Sequence, residues 1–491
     1  MNPLLKLSLR GHKSSVSCIA RVQDDLVSAD RDGWVVLWNL TTKRPRALWK
    51  AHQGQILTLK YTAMGLLTHG RDSELRLWNL SESSLRGCSS DVSVVGNEEE
   101  PKKPQYEELP VNALNFCNVD FWELPSEGLK KNALVVTPAS VDSDNFDVYK
   151  ISSDGSTFAI QRVIENFAIR SAQLIKLDLE EINDPDLILK QRGHGIVMRL
   201  RFISENLLFV GYESGALFGL DIRPLVRDLV KKADRLVVNT GYKVTLKCAL
   251  KGHTPLPMLS LEYDNDSKVI LCGSASKKIL RVDLSPLLAS SNDVIESHKS
   301  ADSNITSKED HANSRENSGA VPDPTLNKWG LKQPTTQKPA TRSTSDFTGL
   351  ESPGFEESNS NAASTSELES QVSFTNLKHY GIQCVQFVTG GYAVAFWDGT
   401  IKVINNDQET TSTWERAEEA LQALNVVDNP SGPTKKSICI FSWRAKSSDE
   451  RQIVPVQTRI RTRETLADKL LLFVGHGDGL IRAYSLSETV C

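Results

Sequence analysis

The chain has no long apolar run, no paired cysteines and no excess of charge of either sign, and each absence removes a class of function. Its longest uninterrupted apolar stretches, residues 470–474 among them, fall far short of the roughly 20 residues of a membrane-spanning helix, so no membrane partner is expected. The eight cysteines, Cys18, Cys88, Cys117, Cys248, Cys272, Cys384, Cys439 and Cys491, form neither a Cys-x-x-Cys pair nor a Cys/His cluster at zinc spacing. That leaves no metal site and no disulfide framework to read. Most lie inside apolar runs, where a free thiol acts as a small core residue, and this usage fits a reducing intracellular compartment. The opening Met-Asn-Pro-Leu-Leu-Lys breaks its apolar stretch too soon for a secretory leader. With 57 Lys and Arg against 61 Asp and Glu, a net charge of -4, the electrostatic footprint of direct nucleic-acid binding is missing too.

Patterns that carry chemistry are equally sparse. The glycine-rich residues 475–479 lack a following Lys-Ser/Thr and lead into a strand-like run, so they read as a hairpin turn and not as a phosphate cradle. No cofactor and no catalytic residue is expected. Arg459, Arg461 and Arg463 alternate with Ile460 and Thr462, which on extended backbone puts three guanidinium groups on one face. A solvated edge is the plainer reading, a site for an acidic partner the other.

What the sequence does contain is a match to itself at an offset of 40 residues. Residues 27–40 and 67–80 agree at Arg31/Arg71, Asp32/Asp72, Leu37/Leu77, Trp38/Trp78, Asn39/Asn79 and Leu40/Leu80, and Gly11-His12 is answered by Ala51-His52. In the first copy, two β-branched and apolar runs, 16–20 and 26–29, precede Asp32-Gly33 and a third run, 34–38. That is strand, strand, tight turn, strand, with a glycine able to take positive φ in the turn.

This pattern resembles the WD repeat, the four-stranded blade of a β-propeller. The resemblance implies a hydrogen-bonded tetrad in each strong repeat: His12, Ser28, Asp32 and Trp38 in the first, His52, Thr68, Asp72 and Trp78 in the second. A buried carboxylate is tolerable only when its oxygens are satisfied, and imidazole and hydroxyl supply that. A Ser, a His and an Asp that meet in space also invite a catalytic-triad reading. Recurrence of the same constellation at a fixed repeat favours a structural role, because active sites seldom duplicate with a fold's period.

A propeller of about seven blades at about 40 residues each needs only about 280 to 300 residues, so much of the 491-residue chain belongs to insertions. We expect an all-β, seven-bladed WD-repeat β-propeller closed by the N-terminal strand, with a long disordered loop insertion. Residues 1–284 hold blades 1 to 5, with a solvated loop at about 81–105. The third blade is weak, with strand signals at 109–116 and 132–136 and Asp147-Val-Tyr149 in the closing position; residues 158–183 read as an outer strand with an excursion. His194 to Leu220 repeats the 26-residue spacing of His12 to Trp38, and a fifth blade runs from Gly252-His253 to Val282. Residues 285–371 are rich in Ser, Asn, Thr and Glu, with too little apolar surface to offset an ordering cost of about 1 to 2 kcal/mol per residue, and read as disordered. Residues 372–491 hold blades 6 and 7, with one or two helical turns at 414–424. The last blade lacks an outer strand and residues 4–9 form a strand without a blade, so pairing them closes the ring.

Together, residues 9–12 (Leu-Arg-Gly-His), the decayed middle blades, the insertion ahead of the sixth blade and residues 471–482 make the chain similar to the fungal ASTRA-associated protein 1 family. That similarity implies a non-catalytic scaffold subunit of the nuclear ASTRA complex, involved in chromatin remodelling and in assembly and maturation of phosphatidylinositol-3-kinase-related proteins. The implied partners are subunits of that complex, including the kinase-related proteins and their co-chaperones, with the chain monomeric within a hetero-complex. A substrate receptor or adaptor of a ubiquitin ligase or RNA-processing complex is the alternative. Trp38-Asn39 and Trp78-Asn79 depart from the Trp-Asp-x-Arg of cullin-ligase receptors, and the Phe-Arg-Arg-Gly of phosphoinositide-binding propellers does not occur.

Overall fold

The computed structural model describes residues 4–97, 100–112, 116–127, 130–154, 158–169, 194–224, 228–232, 235–239, 242–289, 371–414, 437–443 and 471–486. These form seven four-stranded antiparallel sheets and one separate two-stranded hairpin. Each sheet is a blade of a β-propeller, its first strand innermost around the central channel. Blade 1 comprises Val16–Val22, Asp25–Asp30, Trp34–Asn39 and Arg44–Lys50; blade 7 begins with Ser437–Trp443.

Burial explains the sequence texture of the strands. Second strands are clamped between neighbouring blades on both faces, so Leu207–Tyr212, Val269–Ser274, Gly391–Phe396 and Leu471–His476 are buried at every position and read as continuous apolar runs. First strands are buried at only some positions, as in Val16–Val22, where Val16, Ile19, Ala20 and Val22 are buried and Ser17, Cys18 and Arg21 are half-buried, because one face lines the channel. Between blades 7 and 1, Leu9, Val16, Trp34 and Trp38 pack with Leu471, Phe473 and Ile481. Burial of side chains of this size stabilises by about 1.5 to 3 kcal/mol each.

The ring is closed by Leu4–Arg10, which pairs antiparallel with Leu480–Ser485, from Leu4 opposite Ser485 to Arg10 opposite Leu480. It is the outer strand of blade 7, and its own Leu7 and Leu9 are buried.

Outer strands elsewhere fall later in the chain than the sequence pattern places them. Tyr106–Pro110 pairs with Glu74–Trp78 and completes blade 2, so blade 3 starts at Asp120–Glu127 and not at residue 109. Val372–Asn376 pairs with Lys278–Asp283 and completes blade 5; the insertion therefore interrupts blade 5 and does not precede blade 6. Both strands are half exposed and weakly apolar, which hides them from a periodicity search. Trp414 ends the outer strand of blade 6, Thr410–Trp414, and does not start a helix; the remainder of the expected helical turns, most of the 285–371 insertion and the Arg459–Arg461–Arg463 alternation lie outside the described residues.

The 81–105 stretch is not simply solvated. Ser81 caps a helical turn at Glu82–Leu85, a 3-10 turn follows at Val92–Val94, and Leu85 and Val95 are buried. Leu48 N donates to Ser89 O at 2.8 Å, so the segment covers the exposed edge of blade 1. Like the hairpin Asp228–Lys232 with Arg235–Asn239 of blade 4, it leaves between the third and outer strands, on the lower rim of the disc.

Ring closure makes a direct prediction. Deleting residues 1–10 uncovers the edge of Leu480–Ser485 and the cluster around Phe473, so the shortened chain should melt well below the full one and aggregate. Equal melting temperature and cooperativity by calorimetry would contradict closure through this strand.

Candidate functional site

The tetrads form where the connection into each blade meets the turn between its second and third strands. In blade 1, Trp38 Nε1 donates to Ser28 Oγ (2.8 Å), Ser28 Oγ lies 2.6 Å from His12 Nε2, and His12 Nδ1 lies 2.8 Å from Asp30 Oδ2. The carboxylate in this tetrad is Asp30, and Asp32 is not part of it. Ser28 and Asp30 are two apart on one strand and share a face, whereas Asp32 is already in the turn, exposed, accepting from Ser14 Oγ at 3.1 Å. The second oxygen of Asp30 accepts the amides of Asp32 (3.0 Å) and Trp34 (2.9 Å), so the carboxylate also ties the turn.

Blade 2 solves the same problem differently. Its counterpart of Asp30 is Gly70, and a Cβ there would sit 2.3 Å from His52 Nδ1 and 2.7 Å from Asp72 Oδ1. Asp72 reaches back into that space: its Oδ1 is 2.8 Å from His52 Nδ1, and its Oδ2 accepts Gln53 N (3.0 Å) and Arg76 Nη1 (3.2 Å). Thr68 Oγ1 lies 2.7 Å from His52 Nε2 and accepts from Trp78 Nε1 at 2.8 Å. Burial pushes the Asp72 carboxyl up, but the His52 contact, the Gln53 amide and the Arg76 charge outweigh it and hold it at about 2.

In both tetrads the order Ser/Thr, His, Asp matches that of a hydrolytic triad. The hydroxyl, however, is fully buried and already occupied by an indole N–H, and a nucleophile must reach its substrate. The remaining blades keep fragments of the pattern. His253 Nε2 bonds Cys272 O (3.0 Å), His379 Nδ1 bonds Asp398 Oδ2 (2.6 Å) near the surface, and His194 packs against Tyr212 and Phe218.

Sequence reading missed the channel. On the innermost strands of four successive blades, Lys60, Asp120, Arg201 and Glu262 alternate in charge. Lys60 Nζ is 2.7 Å from Asp120 Oδ1, Arg201 Nη2 is 3.2 Å from Glu262 Oε2, and Asp120 Oδ2 accepts Phe202 N at 2.7 Å. One layer away, small side chains bridge to the backbone of the next blade: Cys18 to Ile56 O, Cys384 to Ile440 O, Cys439 to Val16 O, Thr58 to Val119 N, Asn118 to Leu200 N and Ser260 to Val385 N. In blades 1, 2, 5, 6 and 7 the bridging residue stands two positions past the first residue of the innermost strand, the one signal the sequence offered. Among the described residues no group of three His, Cys, Asp or Glu could hold a metal ion, and no helix is long and apolar enough to cross a membrane.

Two buried histidines stand apart. Both ring nitrogens of His69 and Nε2 of His194 have no hydrogen-bond partner among the described residues. Burial, reinforced by the neighbouring His52, depresses His69 to about 3, and burial depresses His194 to about 4.

We propose that the tetrads are structural braces, and the geometry separates the two aspartates of blade 1. Asp30→Ala or Asp72→Ala leaves a buried imidazole and backbone amides unpaired, at about 1 to 3 kcal/mol each, whereas Asp32→Ala should stay within about 0.5 kcal/mol; urea melts of the three variants check the ranking. The histidines set a pH dependence. Because their folded pKa values lie below the unfolded value, the unfolded chain takes up protons first, so stability is full above about pH 6.5 and falls towards pH 3–4 by up to about 1.4 kcal/mol per pH unit per group. His69→Leu should flatten that fall between pH 7 and 5; an unchanged slope in melts across that range would count against it.

Comparison with known proteins fits this geometry. A family model described as ASTRA-associated protein 1 matches residues 5–484. ASTRA-associated protein 1 of Clavispora lusitaniae is 32% identical over 484 residues, covering 98% of this chain and 96% of its own length. That of Scheffersomyces stipitis is 34% identical over 306 residues, covering 56% and 63%, and that of Debaryomyces hansenii 30% over 348, covering 57% and 71%. Among solved structures, the Swd1 β-propeller domain of Myceliophteria thermophila aligns over 98% of this chain and 99% of its own at 12% identity with a TM-score of 0.49; the fold assignment rests on the seven sheets and not on that likeness. With a match that runs from the closing strand of the ring to the last strand of blade 7, the chain belongs to the ASTRA-associated protein 1 family.

Proposed function

We propose that this chain is a non-catalytic scaffold subunit of the ASTRA complex, acting in the nucleus in chromatin remodelling and in the assembly and maturation of phosphatidylinositol-3-kinase-related proteins with their co-chaperones. The observation that carries the reading is the chain-long match to a family named for its association with that complex. Family membership and a closed ring of sheets support a scaffold or adaptor role. The burial of both tetrad hydroxyls supports a role without catalysis, since the two triad-like arrangements among the described residues are sealed inside the blades.

Affinity purification of the tagged full chain from fungal nuclei, read by quantitative mass spectrometry, tests the proposal. We expect ASTRA subunits at near-stoichiometric yield, and a yield that falls for Asp30→Ala in step with its melting temperature but not for Asp32→Ala. Recovery of ubiquitin-ligase or RNA-processing subunits in place of ASTRA subunits would overturn it.

A further inference from the structure

The two rims of the propeller differ. The connections between blades and the turns between second and third strands meet on the upper face, held by bonds such as Arg31 N to Ser15 O and Trp397 N to Gly381 O, both 2.9 Å. Of the nine large hydrophobic side chains exposed among the described residues, five (Phe116, Val141, Leu256, Tyr380 and Trp397) lie in these upper loops. Charge divides the same face. The described upper loops of blades 3 and 4 carry Asp142, Asp144 and Glu213 and no Lys or Arg, whereas those of blades 5 and 6 carry Lys251, Lys277 and Lys378 against Asp398 alone, three positive less one negative, a net of +2, with Lys278 following as the first residue of the third strand of blade 5. Asp398 is engaged by His379 and the amide of Thr400. On the other side, burial and the neighbouring Asp142 and Glu213 push Asp144 up, as crowded carboxylates should.

Within the basic half the backbone that carries the aromatic groups is tied down. Gly381, at φ +73, packs beneath Trp397, whose ring would lie 2.2 Å from a Cβ at that position. Gly381 N bonds Ser276 O (3.1 Å) and Leu377 N bonds Lys277 O (2.7 Å), joining the blade 5 turn to the same loop. Lys277 Nζ sits 5.7 Å from the Tyr380 ring centroid. Tyr380 is 65% and Trp397 46% exposed. Aromatics on a braced backbone and flanked by cations suit a ligand offering apolar side chains and carboxylates together.

We infer that the upper surface of blades 5 and 6, formed by Lys277, Lys378, Tyr380 and Trp397, is a docking site for an acidic polypeptide segment of a partner protein that carries aromatic or large aliphatic anchors. Aromatics with lysines also suit single-stranded nucleic acid, but among the described residues the basic zone spans two blades and borders an acidic one, a short track for a polyanion. The inference rests on the scaffold reading and names one of its contact surfaces.

The test pans a random 12-residue peptide library on the purified full chain and measures the enriched peptides, labelled with fluorescein, by anisotropy. We expect peptides of net negative charge with at least one aromatic or large aliphatic residue. Their binding should weaken at least tenfold for Lys277→Glu/Lys378→Glu and for Tyr380→Ala/Trp397→Ala, and stay unchanged for Arg31→Glu/Arg71→Glu on blades 1 and 2. The lysine pair is fully surface-borne, so it tests the site even if loss of Trp397 disturbs the loop. No enrichment, neutral or basic peptides, indifference to both pairs, or oligo-dT binding lost in the same variants would each overturn the inference. Peptide binding and ASTRA recovery are read separately: loss of the first alone removes this surface, loss of the second alone removes the scaffold reading.

Discussion

A four-stranded blade cannot bury both of its faces alone, and every other feature of this molecule depends on each blade lying between two others. That makes closure the governing constraint. A row of six or seven sheets would expose an apolar face at each end, and the pairing of Leu4–Arg10 with Leu480–Ser485 removes both by joining residues 470 to 481 positions apart in sequence. The long-range pairing has an entropic cost, but that cost grows only slowly with loop length, whereas the faces it shields include Trp38, Phe473 and Ile481.

Polar groups on the innermost strands then fix the blades relative to one another. Hydrophobic packing between sheets is non-directional, so register needs groups with geometry. The alternating Lys60, Asp120, Arg201 and Glu262 supply it for blades 2 to 5, and thiol and hydroxyl bridges supply it at the four remaining junctions. Cys18, Cys384 and Cys439 thus act as weak donors to backbone carbonyls in the wall of the channel, and burial raises all three thiols well out of the reactive range.

The sequence was most legible where the repeat is strongest and least where a strand is half exposed. Blades 1 and 2, the closing strand and the seven-blade count follow from apolar runs and turn glycines, because second strands are buried on both faces. The outer strands of blades 2 and 5 were invisible because Tyr106–Pro110 and Val372–Asn376 bury few of their positions. The error at Asp32 came from the repeat itself. Aligning Asp32 with Asp72 is right as sequence and wrong as chemistry, since blade 2 has Gly70 where blade 1 has Asp30 and supplies its carboxylate from two residues later. The charged channel was illegible because Lys60 and Asp120 come from different blades, and nothing local marks them as neighbours.

One junction departs from the others for a reason that can be traced. In six blades the innermost strand carries a bulge near its start, and in five of them the residue after it pairs with a small residue of the second strand: Cys18 with Ala29, Arg199 with Gly211, Ser260 with Gly273, Cys384 with Ala395 and Cys439 with Gly475. Smallness is required because the first residue of the next innermost strand wedges in there; a Cβ on Gly211 would lie 2.4 Å from Met258 Sδ, one on Gly273 2.3 Å from Ile382 Cγ2, and one on Gly475 2.7 Å from Val16 Cγ1. In blade 2 the same position is His69, opposite Thr58. Counting back two from the bridging Asn118, as from Thr58 to Ile56 or Ser260 to Met258, makes Phe116 the wedge of blade 3. Phe116 is instead 53% exposed, with Arg71 4.4 Å over its ring and Arg199 bonded to its carbonyl. An imidazole stands where the other blades keep the slot clear, so the junction that holds a buried histidine with no hydrogen-bond partner among the described residues is also the one whose aromatic group faces outward on the upper rim.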